Sequence, residues 1–194
     1  GKYGGKKPKV GHGGSLDPFA TGVLLILIGK AVKRFEEIKS WEKEYVMTVK
    51  LGEKTDTGDR TGKIIEKQTV DKINEQQLRQ VLQSFVGEYE QTVPAYSAVK
   101  LKGRKLYQLA RQGKQVKLWK RIVKIQKIEL IDLQGETLKV RVKCGSGTYM
   151  RQLAVDIGER LGGVLAVAEE LRRIRVGKYQ LVCSLIDGLM EEQI

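Results

Sequence analysis

A chain of 194 residues with 41% hydrophobic and 30% charged residues is long enough to bury the core of one globular domain. No apolar run of 18 residues occurs, which argues against a membrane span, and no apolar stretch follows the basic N-terminus, which argues against a secretory signal. The two cysteines lack a Cys-x-x-Cys spacing, which argues against a disulfide framework and a zinc site. Cys144 and Cys183 are therefore expected to be reduced thiols of a cytoplasmic protein. The formal net charge of +13 predicts a polyanionic partner.

The first half of the chain predicts short strands with one helix among them. Residues 23–28 form a continuous apolar run, which predicts a fully buried strand, and a short helix is expected over residues 31–38. Residues 45–51 alternate in the way of a strand with one buried face. A polar loop over 55–62 and a returning strand over 63–70 are expected next.

The second half mixes helices and strands without a regular order. Asn74 and Gln77 have the spacing of a capping box, so a helix is expected to begin there and to end at Gly87. Its predicted buried face consists of Leu78, Val81, Leu82 and Phe85. Further helices are predicted over 104–111, 148–161 and 163–172, and strands over 116–133 and 137–144 that meet in a hairpin at 134–136. The helix over 148–161 is expected to bury Leu153, Ala154, Ile157 and Leu161. This pattern predicts an α+β fold, a mixed and largely antiparallel sheet flanked by helices, in a single domain over residues 1–194.

Positive charge is concentrated in one part of the chain. Residues 91–128 contain no Asp or Glu, and they carry Lys100, Lys102, Arg104, Lys105, Arg111, Lys114, Lys117, Lys120, Arg121, Lys124 and Lys127. A solvated surface normally mixes both signs of charge, so this segment favours phosphate binding over a merely basic surface. The interleaved aromatic residues Tyr96, Tyr107 and Trp119 suit stacking on unpaired bases, although core packing is the alternative for each.

The most informative loop is the segment over residues 12–22, in which Asp17 lies between glycines and Pro18. Proline disfavours the helical region for the residue before it, so Asp17 is expected to be extended or in a turn. Reactive groups are often loop residues that a rigid scaffold positions. The alternative is an ordinary turn in which Asp17 only accepts bonds from neighbouring amides.

Other kinds of site find little support in the sequence. His12 is the single histidine, with no nucleophile motif near it, and neither a Walker A loop nor a cluster with metal-ligand spacing occurs. What remains is one carboxylate, Asp17, that must act alone, as aspartate does when it serves as a covalent nucleophile. Such a group needs a cation to orient it and keep it ionised. Arg151 is the best candidate, because it is expected in the first turn of a helix.

Six blocks of the sequence together resemble the TruB family of tRNA pseudouridine synthases. The blocks are Gly11–Leu24 around Asp17, Lys43-Glu44-Tyr45, Thr55–Asp59 with Gly62, Pro94–Ala98, Gly147–Arg151 and Leu171-Arg172-Arg173. They occur in the order and at the spacing of that family, over about residues 9–179. We expect a pseudouridine-synthase-like catalytic domain on this basis.

The resemblance implies a role for particular residues. Asp17 matches the catalytic aspartate, Tyr45 the tyrosine that stacks on the target base and is implicated in deprotonation at C5, and Arg151 the arginine that pairs with the aspartate. His12 matches a histidine that holds the opened RNA loop. The remaining matches line the pocket, at Lys33, Tyr149 and Leu171, or belong to a basic RNA-clasping insertion over about residues 93–121, at Lys100, Arg104, Lys105, Arg111 and Lys114.

The activity implied by the resemblance is conversion of a uridine in the T-arm of tRNA, position 55 in the family, to pseudouridine. A uridine inside a folded loop must be flipped out before it can be reached. No cofactor and no metal are expected, since the isomerisation takes place within one nucleotide. The tRNA T-stem-loop is the expected partner of a monomer that needs no protein partner.

The chain also departs from the family pattern. Only eleven residues precede His12, so the usual opening strand and its Lys-Pro-x-Gly-x-Thr-Ser segment are missing from the sequence. Gly13 stands where the family usually has threonine, and Val93 where it has the first proline of a Pro-Pro-Tyr-Ser block. Because the chain ends at Ile194, we expect the C-terminal RNA-binding domain of the family to be absent.

Two alternatives remain open from the sequence. One is an RNA-guided, dyskerin-like pseudouridine synthase, which shares the Leu-Asp-Pro loop. The block Thr55–Asp59 and the basic insertion favour the stand-alone bacterial type. The other is an RNA-binding or RNA-folding module without catalysis, against which the presence of Asp17, Tyr45 and Arg151 argues.

Overall fold

A computed structural model of the chain describes residues 7–97, 99–101, 104–106 and 119–181. The described strands are β1 (Val10–His12), β2 (Thr21–Gly22), β3 (Ile26–Ile28), β4 (Lys43–Leu51), β5 (Glu53–Thr55), β6 (Ile64–Lys67), β7 (Gly87–Thr92), β8 (Lys100–Leu101), β9 (Arg104–Lys105), β10 (Lys120–Gln134), β11 (Thr137–Cys144), β12 (Ala166–Val176) and β13 (Tyr179–Gln180). The described helices are a 3-10 helix (Gly29–Arg34), α1 (Phe35–Ser40), α2 (Glu75–Gln83) and α3 (Met150–Arg160). Within this part of the chain, no helix is long and apolar enough to cross a membrane.

The centre of the fold is a seven-stranded sheet. Six of its strands lie in the order β13-β12-β4-β11-β10-β7, all paired antiparallel, and β2 joins it by pairing parallel to β12. The α+β prediction with a mixed, largely antiparallel sheet is therefore confirmed.

Alternation along the strands decides which face of the sheet is buried. In β4, Met47, Val49 and Leu51 are fully buried, as the period-2 pattern predicts. Helices α2 and α3 contribute the apolar stripes that cover this core, with Leu78 and Leu82 from the first and Leu153, Ala154 and Ile157 from the second. Phe85, predicted on the same face of α2, is buried in this core just beyond the end of that helix. Asn74 caps α2 as expected, because its side chain accepts a hydrogen bond from the backbone N–H of Gln77 at 3.1 Å.

The predicted helix over residues 163–172 is wrong. That segment contributes to β12, which lies between β4 and β13 and also pairs with β2. Its Ala, Glu, Leu and Arg residues favour a helix in isolation, but pairing on both sides with neighbouring strands overrides that weak preference. Two register shifts, between Ala168 and Glu170 and between Arg173 and Arg175, obscure the period-2 pattern that would have indicated a strand.

The prediction of a fully buried strand over residues 23–28 is also wrong. The strand is shorter, β3, and it pairs with β1 in a separate two-stranded sheet. Only Leu27 is buried, while Ile26 and Ile28 are 55% and 58% exposed. An apolar run cannot by itself distinguish a strand buried on both faces from a ribbon that packs on one face.

Smaller differences concern the ends of elements. The predicted helix over residues 31–38 is split between the 3-10 helix and α1, and the strand expected over 63–70 is the shorter β6. Of the helix predicted over 104–111, the first two residues form β9 instead, and residues 107–111 lie outside the described residues. The strand expected from residue 116 begins at Lys120 as β10.

Candidate active site

The loop that presents Asp17 is fixed at both of its ends. Gly13 donates its N–H to Leu25 O at 2.9 Å, and Ala20 donates its N–H to Asp17 O at 2.9 Å, which closes a turn across Pro18. Phe19 is buried in the core cluster that also contains Tyr45. Asp17 keeps 30% of its side chain exposed. The predicted turn therefore holds a partly accessible carboxylate on an anchored backbone.

Gly13 explains one departure from the family pattern. A side chain at this position would overlap Ile38 of α1. The loop therefore runs against α1 with no space for the threonine that is usual there.

Arg173 of β12 supports the same loop from inside. Its side chain is almost completely buried, and its guanidinium donates to Val23 O at 2.7 Å, Ser15 O at 3.2 Å and Gly14 O at 3.1 Å. Gly22 has a φ of +107°, and a Cβ there would overlap the Arg173 carbonyl. One buried cation thus binds three backbone carbonyls on either side of Asp17, which makes the loop a rigid platform.

Arg151 lies in the first turn of α3, as predicted, and it reaches Asp17. Its Nη2 donates to Asp17 Oδ1 at 3.0 Å and to Tyr96 O at 2.8 Å, and its Nη1 donates to Thr57 O at 2.8 Å. The residue is only 5% exposed, so the planar guanidinium is held in one orientation. The structure therefore brings together the carboxylate and the cation that the sequence paired.

A second carboxylate, Asp59, faces the same guanidinium. Its Oδ2 lies 3.6 Å from Arg151 Nε, and its Oδ1 accepts from the N–H of Thr61 at 2.9 Å and from Thr57 Oγ1 at 3.0 Å. Asp59 is buried, so two acids share one buried cation. Asp59 lies in the block Thr55–Asp59, and no role was predicted for it from the sequence. Its signal was the clustering of small polar residues around it, which supply the donors that a buried carboxylate requires.

Tyr45 lies in β4 on the core side of the Asp17 loop. Only 9% of the residue is exposed. Burial is the main reason that its pKa rises to about 12, and the Cys144 thiol raises it further, while the Arg173 guanidinium lowers it and the Asp17 carboxylate makes the smallest upward contribution. The phenol is therefore neutral at pH 7. The Tyr45 side chain belongs to the same core cluster as Phe19 of the Asp17 loop.

The other residues predicted to belong to the site are His12, Lys33, Tyr149 and Leu171. His12 is exposed at the end of β1, and Lys33 is exposed on the 3-10 helix, where no hydrogen bond or ion pair connects it to Asp17 or Arg151. Tyr149 immediately precedes α3, and its backbone binds the side chain of Gln91. Leu171 is buried in the core of the sheet, as apolar packing alone would require.

The basic insertion is described only in part. Lys100 belongs to β8, and Arg104 and Lys105 belong to β9, which pairs with β8. Arg111 and Lys114 lie outside the described residues. Their expected contact with RNA phosphates stays a prediction.

Solved structures share this fold. A chain of the "Crystal Structure of a Cbf5-Nop10-Gar1 Complex" superposes with a TM-score of 0.66 and 31% sequence identity, over 90% of this chain and 42% of that one. A chain of the "Structure of H/ACA RNP bound to a substrate RNA containing 2'-deoxyuridine" gives a TM-score of 0.63 and 29% identity, over 93% of this chain and 42% of that one. This chain therefore has the fold of chains that were solved in a Cbf5-Nop10-Gar1 complex and in an H/ACA RNP.

Sequence comparison is more specific. The TruB family pseudouridylate synthase N-terminal domain matches residues 2–150. A tRNA pseudouridine synthase B of Francisella tularensis subsp. tularensis is 44% identical over 182 residues, which cover 93% of this chain and 60% of that protein. A protein of the same name from Francisella philomiragia is 42% identical over 193 residues. These residues cover 98% of this chain and 63% of that protein. The chain belongs to the TruB family of pseudouridylate synthases, and it spans about three fifths of the length of these curated relatives.

Proposed function

We propose that the protein converts a uridine in the T-arm of tRNA, position 55 by family resemblance, to pseudouridine. The observation that carries the proposal is the ion pair between Asp17 and the buried Arg151, 3.0 Å apart, on an anchored loop beside Tyr45. Family membership and the name of the curated relatives support the same reaction and the same class of substrate.

The reaction is an isomerisation, and its balance is internal to one nucleotide. The bond from the ribose C1′ to N1 of the base breaks, a bond from C1′ to C5 forms, C5 loses its proton and N1 gains one. Asp17 is the nucleophile in this proposal, because its partly exposed carboxylate can reach a bound nucleotide and a carboxylate can form a covalent intermediate. Arg151 orients the carboxylate and places a positive charge beside it, so attack requires no rearrangement of the groups around it. No cofactor is needed.

Tyr45 offers the target base a surface on which to stack. Because its phenol is neutral at pH 7, removal of the C5 proton by Tyr45 first requires the loss of its own proton. Its direct contribution is therefore a ring of fixed position and a hydroxyl close to the reacting carbons. Stacking on this ring replaces the stacking that the uridine loses when it is flipped out of the T-loop.

The RNA partner is proposed from charge. The net charge of +13 and the acid-free segment over residues 91–128 suit a polyanion. In this proposal the basic insertion contacts phosphates, His12 at the exposed end of β1 contacts the opened loop, and Lys33, Tyr149 and Leu171 line the pocket. Asp17, Tyr45 and Arg151 come from one chain, so the proposed active site needs no second subunit. In this proposal the protein acts as a monomer in the cytoplasm.

Two alternatives give different results in the same assay. An RNA-guided enzyme would need a guide RNA, whereas the curated relatives are named for tRNA. A non-catalytic RNA-binding module would bind the T-arm without changing it.

The test is release of tritium from tRNA labelled at C5 of uridine, with no guide RNA added. We expect release from a tRNA that carries the target uridine and none when cytidine replaces it at that position. Tight binding of tRNA without release of tritium would indicate the RNA-binding module. Tritium release that depends on added guide RNA would indicate the RNA-guided enzyme.

A further inference from the structure

Gln91 is a fully buried polar residue on β7, the edge strand of the main sheet, and it is outside every motif assigned so far. Its side-chain amide binds the backbone of Tyr149 twice. Gln91 Oε1 accepts from the N–H of Tyr149 at 2.8 Å, and Gln91 Nε2 donates to Tyr149 O at 3.0 Å. One side chain thus satisfies both polar groups of a single residue, as a neighbouring strand would.

Tyr149 is the residue from which α3 starts. It is the N-cap of the helix, its side chain makes no capping bond, and its carbonyl also accepts the first helical hydrogen bond, from Leu153 N at 3.0 Å. The first N–H groups of a helix have no partner within the helix. Gln91 supplies a partner from the sheet and thereby fixes where α3 begins and how it is rotated.

Arg151 follows two residues after Tyr149. Its guanidinium binds Asp17 through one contact of 3.0 Å, so a small displacement of the helix start changes that contact directly. Resting on the function proposed above, we propose that Gln91 is a positioning residue that sets the register of Arg151 against Asp17 without touching the substrate.

The surroundings of Gln91 keep its amide in a single orientation. Gln91 Nε2 also donates to the hydroxyl of Tyr89, so both amide protons are used. Asp156 of α3 lies close enough to Tyr89 to raise the pKa of the phenol beyond the effect of burial. The Arg160 guanidinium lies 5.6 Å from the centre of the Tyr89 ring. The hydrogen bonds from Gln91 therefore connect the edge strand to the start of α3 in a buried environment.

Gln91→Glu is the sharpest test, because it changes one atom and its effect depends on pH. An ionised glutamate offers only acceptors, so it still binds the N–H of Tyr149 but faces Tyr149 O without a proton. A protonated glutamate donates there and restores the pair. Burial favours the neutral form, so the restored form is populated at mildly acidic pH.

We expect kcat for tritium release to fall about 10- to 100-fold below that of the parent at about pH 8, with KM unchanged, and to recover most of this loss at about pH 5.5. Gln91→Leu is expected to show the loss at both values. Gln80→Glu, the same substitution at an exposed position of α2, is expected to follow the parent at every pH.

Leu82→Ala distinguishes a positioning role of Gln91 from a general contribution to stability. It removes a buried side chain of α2 and lowers stability without changing Gln91 or Tyr149. Below its unfolding range this variant should keep the kcat of the parent. The second readout, independent of turnover, is the NMR resonance of the Arg151 Nε–H group, which should shift in Gln91→Leu and shift with pH in Gln91→Glu.

The outcomes distinguish the two proposals. An inactive parent would reject the proposed function, and the Arg151 resonance would still decide the role of Gln91. An active parent whose kcat and Arg151 resonance are unaltered by Gln91→Leu and Gln91→Glu would overturn the positioning role and leave the proposed function standing.

Discussion

Replacing Arg151 by lysine keeps the positive charge and removes the fork of donors. The guanidinium is buried and donates to three partly buried acceptors, Asp17 Oδ1, Thr57 O and Tyr96 O, at 2.8 to 3.0 Å. An ammonium is a compact charge on a flexible stem and cannot occupy the three directions at once. Each buried acceptor left without a partner costs about 1–3 kcal/mol. With one or two acceptors abandoned, Arg151→Lys is expected to lower the free energy of unfolding by about 2–5 kcal/mol.

The same change releases Asp17 from its fixed orientation. We expect kcat for tritium release to fall about 100-fold or more, since a carboxylate displaced by about 1 Å loses attack geometry. Urea denaturation measures the stability and tritium release the rate. Arg160→Lys, on the exposed side of the same helix, is the matched control and is expected to change stability by about 1 kcal/mol or less. Parent-like stability and rate in Arg151→Lys would refute the assignment of Arg151 as the group that holds Asp17.

Three further changes probe other parts of the site. In Arg173→Lys, one or two of the three carbonyls on either side of Asp17 lose their hydrogen-bond donor. The free energy of unfolding in urea should therefore fall by about 2–4 kcal/mol, and kcat should fall as well. A variant with the stability and kcat of the parent would contradict the role of Arg173 in holding the loop. Tyr45→Phe keeps the ring and removes the hydroxyl, so tRNA binding by filter retention should persist while kcat falls about 100-fold; full activity would limit Tyr45 to stacking. Burial raises the pKa of Asp156 to about 6, so the folded state binds this proton more tightly than the unfolded state does and the stability of the parent decreases as pH rises from about 4 to about 6. Asp156→Asn should remove that decrease and be about 1–2 kcal/mol more stable than the parent in urea at pH 7, and an identical pH profile of the two proteins would count against it.

The sequence predicted the parts of the molecule that depend on local pattern. The alternation in β4, the capping of α2 by Asn74 and the apolar stripe of α3 are each decided by residues near in sequence. The pairing of Asp17 with Arg151, 134 positions apart, was predicted from the expected place of Arg151 in the first turn of a helix and from the resemblance of several blocks to one family.

What the sequence missed depends on contacts between distant segments. The strand β12 has helix-favouring residues and becomes a strand because it pairs with strands on both sides. Arg173, Asp59 and Gln91 act through backbone groups or side chains brought near by the fold. Nothing in the local sequence around a buried glutamine indicates which backbone it will bind, so roles of this kind become visible only in the folded structure.

Asp17→Asn removes the carboxylate that is proposed to carry out the reaction and keeps a side chain of the same size. An asparagine carbonyl can still accept the hydrogen bond from Arg151 Nη2, so the fold is expected to be retained while the negative charge and the proposed nucleophile are lost. Tritium release from tRNA labelled at C5 of uridine should be abolished, with tRNA affinity by filter binding within about 3-fold of the parent. Equal rates of release from Asp17→Asn and the parent would contradict the account.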